Sequence, residues 1–231
     1  MEFVVFSDLH GNSRALKAML SALDPSRTYA FICCGDITGY YYDELEIMET
    51  LLRLPRLSIV KGNHDAMYCR AEKDEGFRKA LCEKYGNAYK TIQRDVCAYL
   101  SQLPEKISLS ADEKRILIVH GTEQFPLLGR LYPDTCIDTA PSEYDIVFCG
   151  HTHYSMVRKH GNTRIINPGS LGQPRDGRGF AYGIFDTKTG NWSQRTIKFS
   201  MDSLLRQIEE RDPGNSYLRS VLFRGENSGY A

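Results

Sequence analysis

Five short runs in this chain carry five of its six histidines, together with aspartate, asparagine and glycine, and each follows a stretch of strand-forming residues. They are Ser7-Asp8-Leu9-His10-Gly11, Gly35-Asp36, Gly62-Asn63-His64-Asp65, His120-Gly121 and Gly150-His151-Thr152-His153. Only His160 lies outside them. Histidines kept for packing would be scattered, whereas these gather with oxygen donors at the ends of predicted strands, where an α/β fold places its binding crevice. The chemistry such a set serves is metal-dependent hydrolysis.

Asp8, His10, Asp36, Asn63, His120, His151 and His153 make a mixed oxygen and nitrogen set that suits borderline divalent ions such as manganese, iron, zinc or nickel. They exceed what one ion needs and suit two if a carboxylate bridges, with Asp36, on the middle of the first three strands, as the natural bridge. Two ions about 3.5–4 Å apart can hold the attacking and leaving oxygens of a phosphoryl displacement. Their four positive charges exceed the two negative charges of Asp8 and Asp36, so the site stays positive. It can generate a metal-held hydroxide nucleophile and still attract a phosphate.

His64 follows Asn63 directly and is expected to face the substrate, where it protonates the leaving group or hydrogen-bonds a phosphoryl oxygen. Asp65 either orients His64 or stabilises the loop. Downstream, Asn167-Pro168-Gly169-Ser170 and Gln173-Pro174-Arg175-Asp176-Gly177 form a turn-rich loop. Arg175 is its best phosphate-binding candidate, because a guanidinium grips phosphate as a fork. Asn63, His64 and Arg175 are therefore the expected substrate contacts.

The elements that must position these residues repeat in the first third of the chain. Phe3 to Phe6, Tyr29 to Cys34 and Ser58 to Val60 read as strands, and Asp8, Asp36 and Asn63 follow them at separations of 28 and 27 residues. That spacing is close to the roughly 30 residues of a βαβ unit, so parallel strands would present all three residues at one sheet edge. Ser13 to Leu23 and Asp43 to Leu54 have helical periodicity and serve as the crossovers. From about 66 to 112 the pattern is charged and helix-favouring, the mark of a helical insertion or flap beside the site. Short strands return at Ile116 to Val119, Ile146 to Cys149, Arg164 to Ile166, Phe180 to Phe185 and Trp192 to Phe199, the last two joined as a hairpin. Asp202 to Arg211 closes as a helix. The expected architecture is α/β: a four-layer αββα double β-sandwich with two mixed sheets flanked by helices. It is one domain over 1–231, with a C-terminal extension from about 200.

With 231 residues, 42% of them hydrophobic and 25% charged, the chain can bury one substantial core. Twenty-nine basic residues balance 29 acidic ones, which disfavours nucleic acid or an anionic membrane as partner. Seven cysteines without a C-x-x-C pair, an opening with no signal-peptide pattern and no stretch long enough to span a membrane lead to the expectation of a reduced, cytoplasmic protein. Cys33 and Cys34 are expected as core thiols rather than ligands. A homo-oligomer is left open.

Taken in order, Asp-x-His, Gly-Asp, Gly-Asn-His-Asp, His-Gly and Gly-His-Thr-His resemble the motifs of the calcineurin-like metallophosphoesterase superfamily, over roughly residues 1 to 199. The resemblance implies that Asp8, His10, Asp36 and His153 bind one metal and that Asp36, Asn63, His120 and His151 bind the other. It also implies a catalytic His64. Ser-Asp-Leu-His-Gly-Asn, Gly35-Asp36-Ile37-Thr38-Gly39-Tyr40 and Asn-Pro-Gly-Ser-Leu-Gly-Gln-Pro-Arg-Asp look like the small prokaryotic phosphodiesterase branch. Protein serine/threonine phosphatases carry an aspartate and an arginine where this chain has Gly39 and Tyr40, and a glutamate at Asp65. The expectation is a dinuclear phosphodiesterase acting on a small phosphate ester or nucleotide. Phosphomonoesterase or dinucleotide polyphosphate hydrolase action is the alternative, and a metal-free scaffold a further one.

Overall fold

The computed structural model describes residues 1–137 and 142–224. Its elements run β1 (Glu2–Phe6), α1 (Ser13–Ser21), β2 (Tyr29–Cys33), α2 (Glu44–Leu51), β3 (Leu57–Ile59), α3 (Asn63–Lys73), α4 (Glu75–Tyr85), α5 (Arg94–Gln102), β4 (Lys106–Ala111), β5 (Lys114–Val119), β6 (Ile146–Phe148), β7 (Met156–His160), β8 (Thr163–Asn167), β9 (Phe180–Asp186), β10 (Trp192–Ile197), α6 (Asp202–Arg211) and α7 (Ser216–Ser220).

The strands form two mixed five-stranded sheets, ordered β10-β9-β1-β2-β3 and β4-β5-β6-β8-β7. β1, β2 and β3 are parallel, as the spacing of their motifs requires, and β9 and β10 extend that sheet as an antiparallel hairpin. In the second sheet β5, β6 and β8 are parallel and the two edge strands antiparallel. Each sheet therefore has a run of parallel strands whose C-terminal ends can converge on one site.

Alternation of side chains along the strands builds the two layers of core. Phe3, Val5, Ala30 and Ile32 of the first sheet meet Ile116, Ile118, Ile146, Phe148 and Ile166 of the second between the sheets. The residues between them, Val4, Phe6, Phe31 and Cys33, face the other way into a larger cluster with Leu16, Ile47, Leu51, Tyr68, Leu81, Leu100, Leu204 and Leu218. All seven helices contribute to that cluster, so the helices of the 66–112 segment share a core with the first sheet. The far face of the second sheet buries Leu117, Val119, Val147 and Cys149 beneath Leu131 and Tyr144 of the intervening segment, with no helix there among the described residues. Cys33 and Cys34 are both fully buried, one in each layer, as core thiols.

Two strands lie where none was expected. β4 falls inside the stretch read as helical, although Lys106-Ile107-Ser108-Leu109-Ser110-Ala111 alternates polar and apolar residues with the period of a strand. It is an antiparallel partner of β5, with Ile107, Leu109 and Ala111 turned toward the inter-sheet core. β7, Met-Val-Arg-Lys-His, has no clean period and is held by pairing with β8. Part of the expected C-terminal extension, beyond residue 224, lies outside the described residues.

Candidate metal centre

The five sequence runs meet in space. Asp8 and His10 lie on the turn after β1, Asp36 on the turn after β2, and Asn63 opens α3 just beyond β3. His120 follows β5, while His151 and His153 follow β6. Main-chain bonds lace these turns together: Asp8 N–H to Gly35 O at 3.0 Å, His10 N–H to Asp36 O at 3.0 Å, Gly150 N–H to His120 O at 2.8 Å and Gly172 N–H to Asp8 O at 2.9 Å. Asp8, His10, Asp36, His151 and His153 all adopt positive φ, between 48° and 66°. Few non-glycine residues do so, and such strain persists where the surroundings hold a residue for function.

The side chains form overlapping groups, Asp8–His10–His153, His10–Asp36–His64 and Asp36–His120–His151, whose donor atoms lie within 4.8 Å of one another. Asp36 is common to two of them, next to His120 Nε2 at 3.3 Å and His10 Nε2 at 3.7 Å. Asp8 Oδ1 is 3.4 Å from His153 Nε2. Asn63 Oδ1 lies 3.0 Å from His120 Nε2. All seven expected ligands thus gather in one cluster, six of them buried and Asn63 half-buried.

Second contacts settle which nitrogen each ring presents. His10 Nδ1 lies 3.0 Å from Thr38 O, His120 Nδ1 2.7 Å from Cys34 O and His153 Nδ1 2.6 Å from Gln173 O. A carbonyl only accepts, so each Nδ1 carries the hydrogen and each ring turns Nε2 inward. The Nε2 atoms of His10 and His153 then face each other at 3.1 Å, both as lone-pair donors. Asp8 Oδ1 adds an oxygen donor beside them, 3.4 Å from His153 Nε2 and 3.9 Å from His10 Nε2. A cation reconciles this arrangement, and the donors present fit divalent metal ions.

The electrostatics agree. Burial holds His10 and His153 well below the usual imidazole range and takes His151 down to about 3, so these rings stay neutral. Burial, with Asp36 adding to it, pushes Asp8 up to about 7. Burial would also lower His120, but Asp36 beside it carries that ring to about 9. Burial acts to raise Asp36 as well, yet His120 and His64 outweigh it and hold the carboxyl well below its ordinary value.

His64 lies at the edge of the cluster, its ring centroid 4.9 Å from that of His10. Its backbone N–H donates to Asp36 Oδ1 at 2.8 Å, so the start of α3 is aimed at that carboxylate. Asp65 faces elsewhere: its carboxylate accepts from the N–H groups of Asp36, Thr38 and Gly62 and from the Thr38 hydroxyl, at 2.9 to 3.1 Å. Of the two roles open to it, the geometry supplies loop stabilisation, and the group on the His64 ring is the hydroxyl of Tyr89, 2.6 Å from Nδ1. Arg175 reaches the same edge, bonded through Nη2 to Gln173 Oε1 at 2.8 Å and Tyr40 Oη at 3.2 Å, with Nε buried and unpartnered.

Sequence reasoning missed Tyr89 and Arg130, whose Nε lies 3.2 Å from His151 Nε2. The rings of Tyr40 and Tyr85 each lie 4.9 Å from that of His64. The Tyr217 ring of α7 lies tilted to that of Tyr40, 6.1 Å away. Neither Tyr89 nor Arg130 belongs to a motif, and only chain folding brings them to the site.

A two-sheet sandwich carrying a cluster of aspartates, histidines and an asparagine at its strand ends defines a metallophosphoesterase. The chain belongs to the calcineurin-like phosphoesterase superfamily, whose domain model matches residues 1–190, and is thereby a hydrolase of phosphate esters. It is 33% identical over 201 residues to the uncharacterised protein MJ0912 of Methanocaldococcus jannaschii, covering 80% of this chain and 82% of that one. It is 22% identical over 190 residues to phosphodiesterase YfcE of Escherichia coli strain K12, covering 80% and 88%. The crystal structure of a metallophosphoesterase from Sphaerobacter thermophilus, 25% identical, superposes with a TM-score of 0.78 over 97% of this chain and 100% of that one. No helix among the described residues is long and apolar enough to cross a membrane.

Proposed function

We propose that this chain is a dinuclear metal-dependent phosphodiesterase. The observation that supports the metal requirement is the pair of inward Nε2 lone pairs of His10 and His153, 3.1 Å apart, with Asp8 Oδ1 3.4 Å from the second. Asp8, His10, Asp36 and His153 would hold one ion and Asp36, Asn63, His120 and His151 the other, with Asp36 between them. Two divalent ions there would supply an activated water and offset the charge of the phosphate. Arg175, with its unpartnered Nε, binds a non-reacting phosphate oxygen. His64 assists departure of the alcohol: the water oxygen bonds to phosphorus, the bond from phosphorus to the alcohol oxygen breaks, and His64 hydrogen-bonds that oxygen as it leaves.

Gly39 and Tyr40 stand where protein phosphatases hold an aspartate and an arginine, which favours a small-molecule diester over a phosphoprotein, and the likeness to phosphodiesterase YfcE points the same way. The tyrosines beside His64 support an organic group with an aromatic face. Lys84 lies over the Tyr85 ring, 4.9 Å from its centroid, and Arg224 over that of Tyr217, at 5.5 Å. A nucleotide, including a dinucleotide polyphosphate, suits such a wall of rings and cations.

The test is hydrolysis of a bis-ester and its monoester by metal-free protein reloaded with manganese, iron, nickel or zinc. Metal-dependent diester cleavage should exceed monoester cleavage and fall at least about a hundredfold in Asn63→Ala and His64→Ala. Faster monoester turnover would overturn the diester preference; tight uptake of one ion per chain would overturn the dinuclear reading.

A further inference from the structure

The hydrogen bond on His64 comes from outside every motif of the site. Tyr89 lies in the single turn Asn87–Tyr89 between α4 and α5, fully buried, with its hydroxyl 2.6 Å from His64 Nδ1. Gly39 makes this approach possible. A Cβ built at position 39 would lie 2.5 Å from His64 Nδ1 and 2.8 Å from Tyr89 Oη, and its φ of +93° also favours glycine. The hydroxyl therefore reaches the ring through space that a side chain at position 39 would fill, the position where protein phosphatases carry their aspartate.

We propose that Tyr89 is the positioning residue of His64: its hydroxyl donates to Nδ1, fixes the tautomer whose hydrogen is on Nε2, and so holds an Nε2–H donor for the leaving-group oxygen. Among the described residues, Nδ1 is the hydroxyl's sole hydrogen-bond partner. If Nδ1 carried the hydrogen, the phenol would accept and its own buried hydrogen would have no acceptor; with the phenol donating, both atoms are satisfied. A neutral phenol differs from a carboxylate in an important way. It orients the ring without stabilising an imidazolium, so His64 acts as a neutral hydrogen-bond donor, and the proton the alcohol finally carries is supplied by the attacking water.

This inference rests on the role given to His64 above, and two measurements keep the two apart. The first is long-range ¹⁵N–¹H NMR of the His64 ring in the metal-free protein, its resonance assigned by comparison with His64→Gln. Hydrogen on Nε2 is expected in the natural chain, with a mixture of tautomers in Tyr89→Phe; hydrogen on Nδ1 in the natural chain, or a spectrum unchanged by the substitution, would overturn the proposal whatever the enzyme hydrolyses. The second is turnover of two diesters by the metal-loaded protein, one with a 4-nitrophenyl and one with an alkyl leaving group. Tyr89→Phe should lower kcat on the alkyl ester about tenfold or more with KM little changed, and leave the 4-nitrophenyl ester within about threefold, because a poor leaving group depends most on a donor at its oxygen. Equal losses on both esters, or a loss confined to KM, would sink the idea.

Discussion

Glu44 shows how a single buried group gives this protein a pH dependence unrelated to its chemistry. It opens α2, is 6% exposed, and accepts a hydrogen bond from Tyr68 Oη at 2.8 Å. Burial raises its carboxyl from 4.5 to about 7 in the folded chain. The folded state thus holds the proton more tightly than the unfolded one, so stability falls as pH rises from about 4.5 and levels off above about 7. Glu44→Gln keeps an acceptor for Tyr68 and removes the ionisation. Urea unfolding should show the variant more stable at pH 8 by on the order of 2 kcal/mol, with most of that gain gone at pH 5. An equal change at both pH values would count against burial as the cause. Nothing in the helical pattern around Glu44 marks it as buried, since charged residues at the start of a helix are ordinarily solvated.

At the scale of elements, the site depends on how closely the start of α3 approaches the turn after β2. A Cβ at Gly62 would lie 2.1 Å from Asp36 Oδ1 and 2.3 Å from Asp36 N, so only glycine allows both segments their places. Gly62→Ala should displace the Asp36 carboxylate, and metal content measured by elemental analysis should fall with activity while far-UV circular dichroism stays native. Retention of full metal content would show that the turn can yield. The strands β1, β2, β3, β5 and β6 were legible because each is an apolar run ended by a motif, and their motifs are the residues that gather. β4 was hidden by charged neighbours despite its clean alternation, and β7 by the absence of any; both are edge strands of the second sheet, each paired with one neighbour. The turn carrying Tyr89 lies in the helical segment between α4 and α5, where periodicity locates helices but says nothing about which side chain reaches across to another turn.

Across the whole molecule, bound metal should be a stability term, because ligands drawn from both sheets exist as a site only in the folded chain. Ions at a hundred times their dissociation constant add about 2.7 kcal/mol, and a chain of this length gains roughly 2–4 °C in Tm per kcal/mol. Scanning fluorimetry should therefore show a rise of roughly 5–10 °C on reloading the chelated protein. Asp36→Asn should lose most of that rise, whereas His64→Ala should keep it while losing turnover. Identical melting of loaded and chelated protein would argue against a metal that bridges the sheets.

The order and composition of the motifs were sufficient to place Asp8, His10, Asp36, Asn63, His120, His151 and His153 in one site and the chain in its superfamily, because ligand chemistry demands residue types and a βαβ rhythm sets their spacing. Two mixed sheets followed from the same strands, since alternation and apolar runs are local properties. The partners of those residues were decided only in three dimensions: Tyr89 on His64, Asp65 on the turn after β2, Arg130 on His151, and the carbonyls of Thr38, Cys34 and Gln173 that turn each Nε2 inward. A main-chain carbonyl has no identity in the sequence, and a hydroxyl 25 residues away has no spacing rule to announce it. Which atom meets which is set by the packing of helices on a sheet, and that packing is a property of the folded chain.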